Sequence, residues 1–260
     1  MSRPFLLLVD DSPEMGIIVA SLGKRAGCEV QVCPDAEAAW EALPLRQPGL
    51  VLLDVNLPGI SGVDWLRRVR GAPSFAGLRV ALYTHWGLPG DIVAGLDAGA
   101  DFLFDKDLAS RPADWQGRLR EILSFQPGAT QGPAKLGVWP NCGLWAKMQE
   151  VQSAALSPRD WSLALNQAIL HPSLRRLPRE VFVVIVRRAL TQTFTSRILP
   201  QDLDAWIAPD ALDPFRLPSS LAHDSPLHLA VCLADQLGCL LGKEASAAFQ
   251  DALAAALSGF

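Results

Sequence analysis

Five residues of this 260-residue chain could together carry one reaction: Asp10, Asp11, Asp54, Thr84 and Lys106. A carboxylate with an unperturbed pKa of about 3.9 is ionised at neutral pH and can attack phosphorus to form an acyl phosphate. Nucleophile and phosphoryl group repel each other, so a cation must lie between them. Mg²⁺ takes oxygen ligands octahedrally and keeps several waters, so two or three adjacent carboxylates suit it. A lysine adds a second, point-like positive charge for a phosphate oxygen, and a threonine hydroxyl can donate to another. Positioning and electrostatics do most of the work in phosphoryl transfer, and this set offers both.

These residues are far apart in the chain, so the fold must gather them. Short apolar runs alternate with amphipathic segments from residue 5 onward. Strands are expected at Phe5–Val9, Glu29–Cys33, Gly49–Val55, Leu78–Thr84 and Asp101–Asp105. Helices are expected from Ser12 to near Gly27, Asp35 to about Leu43, Ser61 to Arg70, Pro89 to Gly99 and Asp114 to Phe125, with Ser and Asp well suited to the N-cap positions. The run GLVLLDV is apolar almost throughout, as a central parallel strand covered on both faces should be. Five strands alternating with five helices imply an α/β fold, a doubly wound parallel sheet. In such sheets function gathers at the carboxyl ends of the strands. Asp10 and Asp11 end the first strand, Asp54 the third and Thr84 the fourth, and Lys106 lies just past the fifth.

The motifs LLLVDDSPEM, LVLLDVNLPGISG, VALYTH and AGADFLFDKD are together highly specific. Residues 4 to about 125 resemble the receiver domain of two-component response regulators, with a flavodoxin-like fold. The resemblance implies Asp54 as the phosphoacceptor for a histidine kinase or phosphotransfer protein. It implies Mg²⁺ bound by Asp11 and Asp54, by Asp10 directly or through water, and by the backbone carbonyl of Asn56. Thr84 and Lys106 would contact the phosphoryl oxygens. Three positions depart from the family pattern. Asp107, not proline, follows Lys106, so that loop is either trans and rearranged or strained by a cis bond without proline. Leu103, flanked by Phe102 and Phe104, stands where many receivers carry a switching aromatic. His85 follows Thr84 where a small residue is usual; it either screens the acyl phosphate from water or is an exposed loop side chain. Arg67, Arg68 and Arg70 read as a solvated helix face rather than a phosphate patch.

Composition sets the outer bounds. The chain is 50% apolar and 19% charged with a formal charge of −4, so it can bury a core and is not a disordered chain. Cys28, Cys33, Cys142, Cys232 and Cys239 form no CxxC pair and read as reduced thiols packed as small apolar groups. The start reads as a buried strand rather than a signal peptide, and no apolar stretch approaches membrane-spanning length, so a cytoplasmic location and no membrane partner are expected.

Phe125–Pro140 holds three prolines and three glycines, so residues 1–125 are expected to form one domain, 126–140 a linker and 141–260 a mainly helical output domain. Helices are expected at Pro158–His171, Asp202–Ile207, Pro226–Leu241 and Ala245–Leu257, and at Arg179–Phe194, where the run VFVVIV leaves a buried strand as the alternative. Residues 131–260 hold 11 Lys or Arg and 11 Asp or Glu, which speaks against DNA, since phosphate neutralisation needs clustered positive charge. Leu221–Gly242 resembles the end of HD-type helical domains, including the non-catalytic HDOD group. His171, His223, Asp224 and Asp235 stand in the order an HD metal site would need, although the Ser-Pro after Asp224 suggests a loop. Trp139, Trp145, Trp161 and Trp206 are core or partner-anchoring side chains. The expected output is a non-catalytic protein-interaction module with a target unnamed by the sequence. A divergent metal-dependent phosphohydrolase is the alternative, and association with a second copy of the chain stays open.

Overall fold

A computed structural model describes residues 3–85, 89–125, 158–169, 172, 174, 178–194 and 224–259. The chain forms two units, Met1–Ser124 and Phe125–Phe260. In the first, β1 (Phe5–Val9), β2 (Glu29–Cys33), β3 (Leu50–Leu53), β4 (Val80–Thr84) and β5 (Phe102–Asp105) pair in parallel in the order β2-β1-β3-β4-β5. The helices are α1 (Pro13–Arg25), α2 (Ala36–Ala42), α3 (Gly62–Gly71), α4 (Pro89–Asp97) and α5 (Pro112–Ser124), with a short 3₁₀ turn at Lys106–Ser110 before α5. This is the doubly wound sheet the alternation predicts, in the flavodoxin-like order the resemblance implies, with boundaries within a few residues of those expected.

Burial follows position in the sheet. Every residue of β1, β3 and β4 is buried, because helices cover both faces, whereas edge strand β2 leaves most of its residues at least partly exposed. Side-chain caps set the helix starts: Ser12 Oγ accepts from the Met15 N–H at 3.2 Å and Asp35 Oδ1 from the Ala38 N–H at 2.7 Å. Ser61 Oγ accepts from the Asp64 N–H at 3.1 Å and starts α3. Pro13 follows the first cap, where its missing N–H costs nothing.

The three arginines of α3 do not share one solvated face. Arg67 pairs with Asp64 in solvent, and the Arg68 guanidinium lies 3.8 Å over the Trp40 ring. Arg70 turns inward: it donates to the carbonyls of Gly99, Leu78 and Ala76 and pairs with Asp101 at 2.8 Å. It thereby ties the end of α3 to the segments that enter β4 and β5. The pattern of basic residues alone could not show this, because every partner of Arg70 lies outside its own helix.

In the second unit the described helices are α6 (Pro158–Ile169), α7 (Arg179–Phe194), α8 (Asp224–Leu241) and α9 (Lys243–Leu257). The run VFVVIV is helical, with Val181, Val184 and Ile185 buried on one stripe. Packing against α8 outweighs the modest helix penalty of β-branched residues. Helix α8 begins at Asp224, so the Ser-Pro that suggests a loop lies in its first turn, where proline is tolerated. Trp161, Leu237, Phe249 and Leu253 are buried within this unit. The expected linker at 126–140, the helix at Asp202–Ile207 and Trp139, Trp145 and Trp206 lie outside the described residues. No helix among the described residues is long and apolar enough to cross a membrane.

The loop between β3 and α3 depends on two glycines. Gly59 has φ +74°, a region that costs an L-residue with a side chain roughly 1–2 kcal/mol. Gly62 sits so close to the end of β3 that a Cβ would run into the Asp54 carbonyl oxygen. Gly62→Ala is expected to destabilise the first unit by roughly 1–3 kcal/mol, through overpacking against backbone that cannot yield. Gly71→Ala, at a position with open space around it, should be neutral or slightly stabilising. Urea midpoints compared at constant slope check both; equal midpoints would contradict the close approach.

Candidate functional site

All five predicted residues reach one rim of the sheet, beside the reversal of strand order between β1 and β3. Asp10 follows β1, Asp54 follows β3, Thr84 ends β4 and Lys106 follows β5; all four are buried, and Asp11 is exposed. Lys106 Nζ donates to Asp54 Oδ2 at 2.7 Å and lies 2.9 Å from Asp10 Oδ2. Asp10 Oδ1 accepts from the Ser12 N–H at 3.0 Å, and Asp54 Oδ1 from the Asn56 N–H at 3.3 Å. Burial pushes the Asp54 carboxyl above its usual range, outweighing the hydrogen bond and charge of Lys106, with Asp10 adding to the rise. Burial opposes the Lys106 charge, but Asp54 and Asp10 overcome it and hold the ammonium above the ordinary lysine range.

Whether a divalent cation fits can be judged from the oxygens. One oxygen each from Asp10, Asp11 and Asp54 lies within 4.8 Å of the others. Asp10 Oδ2 is buried and, despite the nearby ammonium, receives no aligned hydrogen bond. The cation that faces it is the Lys106 ammonium, 2.9 Å away and shared with Asp54. Three carboxylates gathered around one ammonium match the hard, oxygen-only preference of Mg²⁺.

Several neighbours were not legible in the sequence. Tyr83, the chain's one tyrosine, is buried, its hydroxyl 3.3 Å from Met15 Sδ. It stacks edge-on against Phe104, which leans on Trp115, and Lys106 Nζ lies 5.7 Å from the Tyr83 ring centre. Burial pushes the Tyr83 hydroxyl up, so it stays neutral. An aromatic wall therefore backs the lysine. Asn56 Nδ2 donates to Asp91 Oδ2 on α4 at 3.2 Å, linking the loop after β3 to that helix.

The three departures from the family pattern resolve as follows. No peptide bond among the described residues is cis, so Lys106–Asp107 is trans. Asp105 Oδ1 accepts from the Asp107 N–H at 2.9 Å and starts the 3₁₀ turn. Asp107 turns away from the lysine's partners, and its carboxylate lies 2.8 Å from His85 Nδ1. His85 is exposed but paired. Leu103 is buried and lines a small pocket with Thr84, Ile92, Phe104 and Asp105, beside the hydroxyl rather than beneath a switching ring.

Of the possible second site, His171 and His223 lie outside the described residues. Asp235 on α8 has its carboxyl pushed up to about 7 by burial. Among the described residues, no group of histidine, cysteine or acidic side chains in the second unit is tight enough to hold a metal.

A family model described as the response regulator receiver domain matches residues 6–112. Residues 6–112 are a response regulator receiver domain. Response regulator Rre1 of Synechocystis sp. is 28% identical to the chain over 153 residues, 58% of this chain and 62% of that protein. Transcriptional activator protein PfeR of Pseudomonas aeruginosa is 31% identical over 212 residues, 72% of this chain and 66% of that protein. The chain thus spans less than two thirds of either relative. The crystal structure of chemotaxis protein CheY4 of Vibrio cholerae is similar at 23% identity and a TM-score of 0.42, covering 46% of this chain and 98% of that one.

In the receiver, the buried ammonium compensates two buried carboxylates at once. Lys106→Met is expected to cost about 3–5 kcal/mol, the penalty of leaving charge buried without its partner. The penalty should shrink as pH falls through the carboxylate range, since protonated Asp54 no longer needs the lysine. In the wild-type receiver, Lys106 has a raised pKa. Its contribution is therefore full below the ordinary lysine range and lost as pH rises through the raised value. Denaturant unfolding of both proteins across pH checks this; a pH-independent difference would contradict it.

Proposed function

We propose that the receiver takes a phosphoryl group on Asp54 from a histidine kinase or phosphotransfer protein, and that the helical unit converts this state into a changed protein–protein contact. The observation that carries the reading is Lys106 bridging Asp54 and Asp10, with Asp11 beside them. An Asp54 oxygen attacks phosphorus, the bond from phosphorus to the donor nitrogen breaks, and the imidazole leaves. Lys106 then follows one phosphoryl oxygen while keeping Asp10 as a partner, and Thr84 Oγ donates to another. Asp10, Asp11, Asp54 and the Asn56 carbonyl would hold Mg²⁺, which when bound neutralises charge between nucleophile and phosphoryl group. The Asn56 side chain, held by Asp91, stands at the mouth of the same loop.

For the output, the even balance of 11 basic and 11 acidic residues in 131–260 favours a protein target over nucleic acid. The match to PfeR, named a transcriptional activator and reaching beyond the receiver's length, supports transcriptional regulation as a second reading. A cytoplasmic location follows from the signalling role.

Incubation of the full chain with acetyl phosphate and Mg²⁺, read by intact mass, tests the reading. Wild type is expected to gain one phosphoryl group and Asp54→Ala none. No gain in folded wild type, or an equal gain in the variant, would overturn it.

A further inference from the structure

A second group of metal-ligating side chains lies outside the phosphoacceptor pocket, on the residues that flank two of its members. His85 follows Thr84, while Asp105 and Asp107 stand on either side of Lys106. Lys106 turns inward to Asp54 and Asp10, and its two neighbours turn the other way. One ligand atom from each of His85, Asp105 and Asp107 lies within 4.8 Å of the others, with His85 Nδ1 and Asp107 Oδ1 2.8 Å apart.

The charges nearby leave this group under-compensated. Lys106 is committed to the inner carboxylates, and Arg111, the closest other cation in sequence, pairs with Asp114 at 3.0 Å. Two carboxylates therefore face a single imidazole, with the paired Arg111 adding a smaller charge effect on Asp105. Asp105 is half-buried, with its Oδ1 accepting from the Asp107 N–H at 2.9 Å, which holds the two carboxylates on the same side of the turn. The donor set also selects the ion. One imidazole nitrogen with two carboxylate oxygens suits Zn²⁺, Co²⁺ or Mn²⁺, whereas Mg²⁺ prefers oxygen alone. Metal–ligand bonds of about 2.0–2.2 Å place adjacent donors roughly 3 Å apart. Small rotations of His85 and Asp107, both exposed, reach that spacing.

We propose that His85, Asp105 and Asp107 bind a divalent transition metal ion at a site separate from the Asp10–Asp11–Asp54 pocket, joining the end of β4 to the start of the 3₁₀ turn after β5. Three protein ligands leave coordination positions open for water. Because the ligands adjoin Thr84 and Lys106, an ion here would stiffen the two segments that carry those residues. Metal binding is measured on the unphosphorylated chain, so its failure and that of the phosphorylation reading are distinguishable.

Co²⁺ is the probe, added to the full chain in excess Mg²⁺ so that the inner pocket is filled. Wild type is expected to bind one equivalent with visible d–d absorption, and Zn²⁺ should bleach it by displacement. His85→Ala should weaken binding at least ~10-fold, as losing even an outer-shell partner does. Asp107→Asn should weaken it too, whereas Asp54→Asn should leave it unchanged. Equal Co²⁺ absorption in wild type and His85→Ala, absorption abolished by Asp54→Asn, or none in wild type would each overturn the proposal.

Discussion

The receiver is organised around one buried cation. Two carboxylates, Asp10 and Asp54, are brought to the same rim with almost no exposure, and like charges so placed cannot both stay ionised without an opposite charge among them. Lys106 supplies it from the far side of the sheet, from the end of β5 to the ends of β1 and β3. The result is a poised arrangement rather than a satisfied one. Three carboxylates still outnumber one ammonium, and an oxygen of Asp10 lacks an aligned donor. A site in that state is suited to a metal dication and, on the proposed reading, to a phosphoryl group once a dication is present. The features that make the receiver costly to fold also suit it to phosphoryl chemistry.

The scaffold supports this by bringing strand ends together at short range. Parallel order places β1 and β3 side by side, so Asp10 and Asp54 become neighbours across the reversal point although 43 residues separate them in sequence. Gly62 lets α3 begin against the carbonyl of Asp54 itself. Arg70 secures the other end of α3 to the segments that enter β4 and β5, fixing the baseline from which Thr84 and Lys106 extend. Tyr83, Phe104 and Trp115 fill the space behind the lysine with rings and keep that side of it dry.

The chain's own pattern made much of this legible. Apolar runs marked the strands, capping residues marked the helix starts, and reading the strand ends yielded Asp10, Asp11, Asp54, Thr84 and Lys106 as one group. Contacts between elements remote in sequence, and carrying no pattern of their own, stayed hidden. Arg70 looked like one of three equivalent arginines until its carbonyl partners were in place. Asn56 and Asp91, 35 residues apart, gave no sign of meeting. His85 and Asp107 each stood out as unusual, but their pairing depends on the parallel register of β4 and β5, where Thr84 lies beside Asp105. In the helical unit, periodicity could not separate a strand from a helix at VFVVIV, because both bury β-branched residues; packing against α8 decides it.

Asp10, Asp11 and Asp54 are proposed to form a cation site whose charge Lys106 balances only in part. The thermal unfolding midpoint of the full chain as a function of Mg²⁺ concentration tests it most directly, because a ligand that binds only the folded state raises stability logarithmically with its concentration. The midpoint is expected to climb with Mg²⁺ in wild type, to climb little in Asp11→Asn and to climb more steeply in Lys106→Met, where the inner carboxylates have lost their other cation. A midpoint indifferent to Mg²⁺ in wild type, or the same rise in Asp11→Asn, would contradict it.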